Sequence, residues 1–158
     1  MTIDQALVKV GDELKSTMIE TLKKNGSYGR GDLANSITYD VRTREFNYEL
    51  VRTMLTYGIF VDQGDGRKPG KRPPVQPLID WLTFKKIPIP EGLTVKQFAF
   101  AIAHKIEKRG TDPKPRPFIT PSIQQVMRTT GKEILQQAGI DTVVANIDGT
   151  LEDINVKQ

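Results

Sequence analysis

Residues 57–81 read Tyr57-Gly-Ile-Phe-Val-Asp-Gln-Gly-Asp-Gly-Arg-Lys-Pro-Gly-Lys-Arg-Pro-Pro-Val-Gln-Pro-Leu-Ile-Asp-Trp81, and the fold class turns on how they divide. Alternation predicts a strand at the start, with Tyr57, Ile59 and Val61 on one face and Gly58, Phe60 and Asp62 on the other. Gln63 to Pro74 then carries three glycines, three prolines and four cations, Arg67, Lys68, Lys71 and Arg72, against the single acid Asp65. No regular element survives that density of breakers. Pro77 suits the first turn of a helix, whose leading amides have no partner to lose, and Leu78, Ile79, Trp81 and Leu82 supply its apolar side. The stretch is therefore strand, projecting basic loop, helix. A second loop of the same kind, Arg109-Gly-Thr-Asp-Pro-Lys-Pro-Arg-Pro117, lies further on and brings Arg109, Lys114 and Arg116.

On the N-terminal side of this stretch, residues 2–24 predict an amphipathic helix. Thr2 and Gln5 fit a capping box, and Ile3, Leu7, Val10, Leu14, Met18 and Leu22 recur at three and four residues as one stripe. Asn25-Gly26 supplies a left-handed stop. Ser27-Tyr-Gly-Arg-Gly-Asp32 is glycine-rich but lacks the Gly-Lys-Ser/Thr ending of a phosphate-binding loop. Alternation from Leu33 to Val41 predicts a strand, and Phe46, Tyr48 and Leu50 predict a second after a turn near Thr43–Glu45. With the strand at 57–62, this is an antiparallel meander, one face covered by helices.

On the C-terminal side, a helix over 76–86 gives way to Ile87-Pro-Ile-Pro-Glu-Gly92, extended because each proline pushes its predecessor out of helical geometry. Thr94 and Gln97 form a second capping box, Leu93 is placed to staple onto Phe98, and Phe98, Ile102 and Ile106 form the stripe of a helix running to about Lys108. His104, on the opposite side with Phe100 and Lys108, is the one histidine, and the expectation is a surface residue rather than a base or ligand. Thr120 as cap and Pro121 at the first position open a last long helix, weakened at Gly131 and ended by Gly139. Residues 140–158 hold two short apolar runs around the turn dipeptide Asp148-Gly149, a terminal hairpin or a tail ordered by a partner. The predicted class is α+β: a small antiparallel sheet of three to four strands against a long N-terminal and a long C-terminal helix, with two further helices. The domain expectation is a single body over 1–139 and an acidic hairpin or tail over 140–158.

Composition bounds what this body does. A chain of 158 residues with 37% apolar and 27% charged residues supports one real core, burying roughly 70% of its unfolded surface. No run approaches the length of a membrane span, and Met1-Thr-Ile-Asp-Gln5 lacks the basic and apolar blocks of a signal peptide. With no cysteine, disulfides, thiolate catalysis and cysteine zinc sites are excluded together, and synthesis in a cytoplasm is expected. Net charge is +4, yet the segment after Gly139 has Asp141, Asp148, Glu152 and Asp153 against Lys157, so the remainder is more basic than the sum. Asp62, Asp65 and Asp80 are the acids nearest a loop able to gather a divalent ion, but their spacing matches no oxygen-ligand loop. No enzyme, cofactor or metal is expected. The basic loops suit an acidic protein partner or phosphates, and the alternative function is a non-enzymatic nucleic-acid-binding protein using residues 63–74 and 109–117.

Three segments together resemble a known family. Arg30-Gly-Asp-Leu-Ala-Asn-Ser-Ile37 is similar to the Gly-x-Leu-x-x-Ser-Ile segment of the HK97 gp10-like proteins of tailed bacteriophages. Tyr57-Gly-Ile-Phe-Val-Asp-Gln-Gly64 resembles their Tyr-Ala-x-x-Val-Glu-x-Gly, and Lys114-Pro-Arg-Pro-Phe-Ile-Thr-Pro-Ser122 their Arg-Pro-Phe-Leu-x-Pro-Ala. With the leading helix the likeness covers residues 2–138; the longer middle, with Trp81 and the Thr94 helix, and the acidic tail depart from it. The resemblance implies a structural virion protein of the neck, acting in head-tail joining or tail completion as a ring of identical subunits, a hexamer or dodecamer. Other neck, connector or tail proteins are its implied neighbours, non-specific contact with DNA in a channel is compatible, and no membrane is involved. The expected partner-binding residues are Arg67, Lys68, Lys71, Arg72, Arg109, Lys114 and Arg116, on loops whose prolines reduce the entropy lost on docking.

Overall fold

The computed structural model describes residues 1–45, 47–140, 142–147 and 150–155. Among these, the first helix, α1 (Ile3–Lys24), is opened by the capping box: Thr2 Oγ1 accepts from the Gln5 amide, and Gln5 Oε1 accepts from the Thr2 amide. Each bond satisfies a donor that the helix itself leaves orphaned. Its stripe is buried from Ala6 and Leu7 through Val10, Leu14 and Met18 to Leu22, and Gly26 stands at φ 68° just past the end.

The next segment departs from expectation. Asp32–Ser36 is a short helix, α2, and the strand β1 begins only at Thr38 and runs to Arg44. Leu33, Ala34 and Ile37 are the buried residues, a spacing of one and three that fits a helical turn and not alternation. β1 pairs antiparallel with β2 (Asn47–Thr53), from Thr38 opposite Thr53 to Arg44 opposite Asn47. Phe46, expected to share a face of the second strand with Tyr48 and Leu50, lies outside the described residues.

Tyr57–Gln63 is helix α3, not the third strand. Seven residues are too few for periodicity to decide, and packing selects the helix: Gly58 and Asp62, one turn apart, are its buried positions. A Cβ on Gly58 would stand 2.8 Å from Leu33 Cδ1 and 3.0 Å from Met54 Sδ, so this face meets α2 without a side chain of its own. Removing that strand leaves β1 and β2 as a two-stranded hairpin instead of a three- to four-stranded sheet.

Two more helices follow, α4 (Val75–Phe84) and α5 (Val95–Arg109), close to the expected 76–86 and 94–108. Thr94 and Gln97 make the second capping box. The expected last helix is two: α6 (Ile119–Arg128) and α7 (Thr130–Gln137), interrupted at Thr129, which stands at φ −120°, ψ −121°. Thr120 is not its cap, because the helix already begins at Ile119. Gly139, at φ 73°, follows α7 as expected. Strands β3 (Thr142–Ile147) and β4 (Thr150–Asn155) pair antiparallel as a second hairpin, Ile147 opposite Thr150; the Asp148-Gly149 turn lies outside the described residues. The described residues thus make an α+β chain of seven helices and two separate two-stranded hairpins.

Length alone argues a single body over 1–139, whereas contacts gather into two units: residues 1–63 with 115–158, and residues 64–114. In the first, α1 packs against β1, β2, α6 and α7. One core cluster joins Met18, Leu22, Leu33, Ala34, Ile37, Phe118 and Ile119; another joins Leu7, Val10 and Leu14 to Val126, Met127 and Leu135. Full burial of a side chain such as Phe118 contributes about 1.5–3 kcal/mol. The second unit is α4 against α5 with both basic loops, and Leu82, Ala99 and Ala103 are its buried apolar residues.

Candidate functional site

Within residues 64–114 the two basic loops are tied to each other. The Arg67 amide donates to Thr111 Oγ1 at 2.7 Å, and the Thr111 amide donates to the Arg67 carbonyl at 2.8 Å. Glycine on both sides makes that approach possible. A Cβ on Gly66 would collide with the Thr111 carbonyl, and one on Gly110 with the Arg67 carbonyl. Gly110 also stands at φ 71°, ψ −163°, a region open essentially to glycine alone. The Gly70 amide, donating to the Glu107 carbonyl at 2.8 Å, fastens the first loop to the last turn of α5.

These ties place Arg67, Lys68 and Lys71 from one loop with Arg109 and Lys114 from the other in a single basic unit, all exposed. Arg72 belongs to a different arrangement. Its guanidinium donates from Nε to Glu107 Oε2 at 2.8 Å, pairs through Nη2 at 2.7 Å, and lies 4.9 Å from the centre of the Phe100 ring. This ion pair holds the Glu107 carboxyl below its ordinary range, against an opposing effect of desolvation, with His104 adding to the depression. His104 Nδ1 sits 3.3 Å from both Arg72 Nη2 and Glu107 Oε2. It is exposed, as expected, but shares the carboxylate three residues on that its sequence surroundings had not suggested. Arg72 thus staples the end of the loop to α5.

Arg116 lies in the other unit. Its amide donates to the Val61 carbonyl at 3.1 Å, and its Nη1 donates to the Gly26 carbonyl at 3.3 Å, with Ser27 Oγ at 3.5 Å. The neighbouring Pro117 carbonyl accepts from Asn25 Nδ2 at 2.9 Å. Asp62, buried, completes this corner: one oxygen, Oδ1, accepts from the Phe118 amide at 2.7 Å and the Ile119 amide at 2.8 Å. A carboxylate at the first amides of α6 meets two orphaned donors and the positive end of the helix dipole together. Its occupation there makes Asp62 a structural acceptor. Asp80, another of the acids considered for an ion, accepts from Gln76 Nε2 at 3.0 Å, and the described residues include no group of three ligand-type side chains placed to hold a metal.

Of the seven cations singled out in the sequence, six lie within residues 64–114, where Arg72 alone pairs with Glu107, and Arg116 lies in the corner with Asp62. Sequence reasoning missed Thr111, the hydroxyl that ties the loops, and Glu107, the partner of Arg72. Gly66 and Gly110, one residue before each half of the tie, were the available signal. No protein-family model, characterised protein or solved structure matches the chain.

Proposed function

We propose that the protein is a non-enzymatic structural component of a tailed-bacteriophage virion. It serves as a neck subunit of the head-tail connector or tail-completion kind, assembled in the host cytoplasm into a ring of identical copies. The ordered likeness of three segments to the HK97 gp10-like proteins supports this reading. The fold lends that likeness a physical sense, since all three segments converge on one corner. Leu33, Ala34 and Ile37 come from the first, Val61 and Asp62 from the second, and Phe118 and Ile119 from the third.

One observation carries the docking role: the reciprocal Arg67–Thr111 tie, which fixes the two proline-braced basic loops to each other. Pre-ordered loops lose less entropy when a partner is bound. Arg67, Lys68, Lys71, Arg109 and Lys114 are accordingly the contact cations. Arg72 holds its own loop to α5 through Glu107, and Arg116 is bonded to the Gly26 carbonyl in the other unit.

Reversing Lys68 and Lys71 to glutamate tests this, because neither carries a structural bond in the loop tie. The account expects a variant with an unchanged circular-dichroism spectrum that fails to assemble, as judged by light scattering and electron microscopy. Assembly at the wild-type level would count against the loops as docking surfaces. A gel shift at near-physiological salt separates the nucleic-acid alternative, which expects duplex binding that the same two reversals abolish and that falls steeply with salt.

A further inference from the structure

β1 and β2 form a sheet of two strands, so each has one edge that their ladder leaves unused. Antiparallel pairing turns the amide and carbonyl of alternate residues toward the partner strand and those of the residues between them outward. Among the described residues, no backbone bond reaches β1 except its ladder with β2. Natural sheets blunt such an edge with proline, lysine or a bulge. β1 reads Thr38-Tyr-Asp-Val-Arg-Thr-Arg44, with no proline, glycine or lysine, and its pairings with β2 run one to one without a bulge. An edge of seven residues is thus open to a further strand.

The side chains along that edge decide which strand fits it. Thr38, Asp40, Arg42 and Arg44 are exposed on one face, whereas Tyr39 and Val41 on the other are half-buried against the α1 core. Arg44 pairs with Glu49 at 3.4 Å, but among the described residues neither the Asp40 nor the Arg42 side chain has a partner. Laid antiparallel on a second β1 about a two-fold axis at Val41, the strand sets Asp40 opposite Arg42 of the other copy, and Arg42 opposite its Asp40. Val41 then meets Val41, and all seven residues are paired. A slip to the next register that keeps the faces puts Asp40 against Asp40 or Arg42 against Arg42, and leaves two residues of each strand unpaired. β2 offers no such match with itself, because Glu49 and Arg52 fall on opposite faces.

We infer that β1 pairs antiparallel with β1 of a second copy of this chain, centred on Val41, so that two hairpins join into one four-stranded sheet. Two strands alone are marginal, and three or more with a covered face are stable. The reciprocal Asp40–Arg42 pairs select both the partner and the register. Because the same patch is used on both copies, the contact closes at two. It goes beyond the docking role of the basic loops and does not depend on it; growth past two copies falls to other surfaces, such as those loops.

Sedimentation velocity of the full chain over a concentration series tests the pairing. Asp40→Arg and Arg42→Asp, each alone, oppose like charges twice across the axis and are expected to weaken dimerisation about tenfold, with an unchanged circular-dichroism spectrum. Mixed one to one, the two variants are expected to associate again, since each then meets the opposite charge in the other. A second readout holds even if a charge variant fails to fold. Val41→Cys, in a chain with no other cysteine, is expected to give a disulfide-linked dimer under mild oxidation, and Thr43→Cys, two residues off the axis, far less of it. Wild-type dimerisation in both charge variants, no recovery in their mixture, or equal cross-linking at 41 and 43 would overturn the pairing, as would a wild-type chain that stays single at every concentration. Rings that persist in both charge variants would overturn this inference and leave the ring reading standing; a dimer that responds as described and never grows would do the reverse.

Discussion

Asp62 is the residue on which the first unit's closing corner depends. Replacing it by alanine leaves the Phe118 and Ile119 amides buried without an acceptor, at a cost on the order of 2–4 kcal/mol, whereas asparagine keeps an acceptor oxygen and costs less. Urea unfolding of the two variants checks the order; equal losses would mean that the carboxylate is not the cap. Tyr39 is a second sensitive position. Burial pushes its phenol up to about 12, with Arg52 opposing, and its hydroxyl donates to Met18 Sδ at 3.4 Å. The neutral form is therefore favoured in the fold. Its folded value exceeds its unfolded one, so this stability is complete below pH 10 and is lost as pH rises through about 12. Alkaline unfolding of Tyr39→Phe should be correspondingly less steep than that of the wild type. Gly110→Ala faces both an unfavourable φ and the Arg67 carbonyl, and is expected to destabilise residues 64–114 by about 2 kcal/mol or more. Hydrogen exchange at the Arg67 and Thr111 amides would report the opening of the loop tie.

At the level of elements, α7 tests propensity against packing. Propensity alone says that alanine in place of Gly131 gains about 1 kcal/mol. In the fold a Cβ there would stand 2.8 Å from both the carbonyl oxygen and Cγ1 of Val126, so Gly131→Ala is expected to lower the melting temperature rather than raise it. The same contrast explains what was legible in the sequence. Both capping boxes, Thr2/Gln5 and Thr94/Gln97, and the α1 stripe were readable because each is written within a few residues of itself. The start of α6 was not: its capping carboxylate comes from Asp62, 56 residues before the amide of Phe118, and Thr120 offered a plausible local substitute. Nor were α2 and α3, where a few apolar residues fit either period and Leu33 against Gly58 decided the outcome. The basic character of both loops was visible from composition. That Arg72 turns back to Glu107 and Thr111 holds Arg67 was not, since those partners lie 35 and 44 residues away.

For the whole molecule, charge is divided unevenly along the sequence: residues 64–114 hold eleven lysines and arginines against five acids, +6, and the remaining residues twelve against fourteen, −2. Self-association through the exposed cations of the basic loops is expected to weaken as added salt shortens the Debye length from about 10 Å at 0.1 M to about 3 Å at 1 M. The Arg72–Glu107 pair adds a dependence of the opposite kind, on pH. Because Glu107 is depressed in the fold, the contribution is present above the ordinary glutamate range and is lost as pH falls through the lowered value, so loop protection should decline on acidification and more gently in Glu107→Gln. The central claim, that this chain is a ring-forming structural subunit, is tested most directly by its mass in solution. Light scattering of the full chain, alone over a wide concentration range and after mixing with extracts of assembling particles, should give a closed multiple of the single-chain mass, with rings of that copy number visible by electron microscopy. A single-chain mass under every one of these conditions, with no ring in the images, would contradict it.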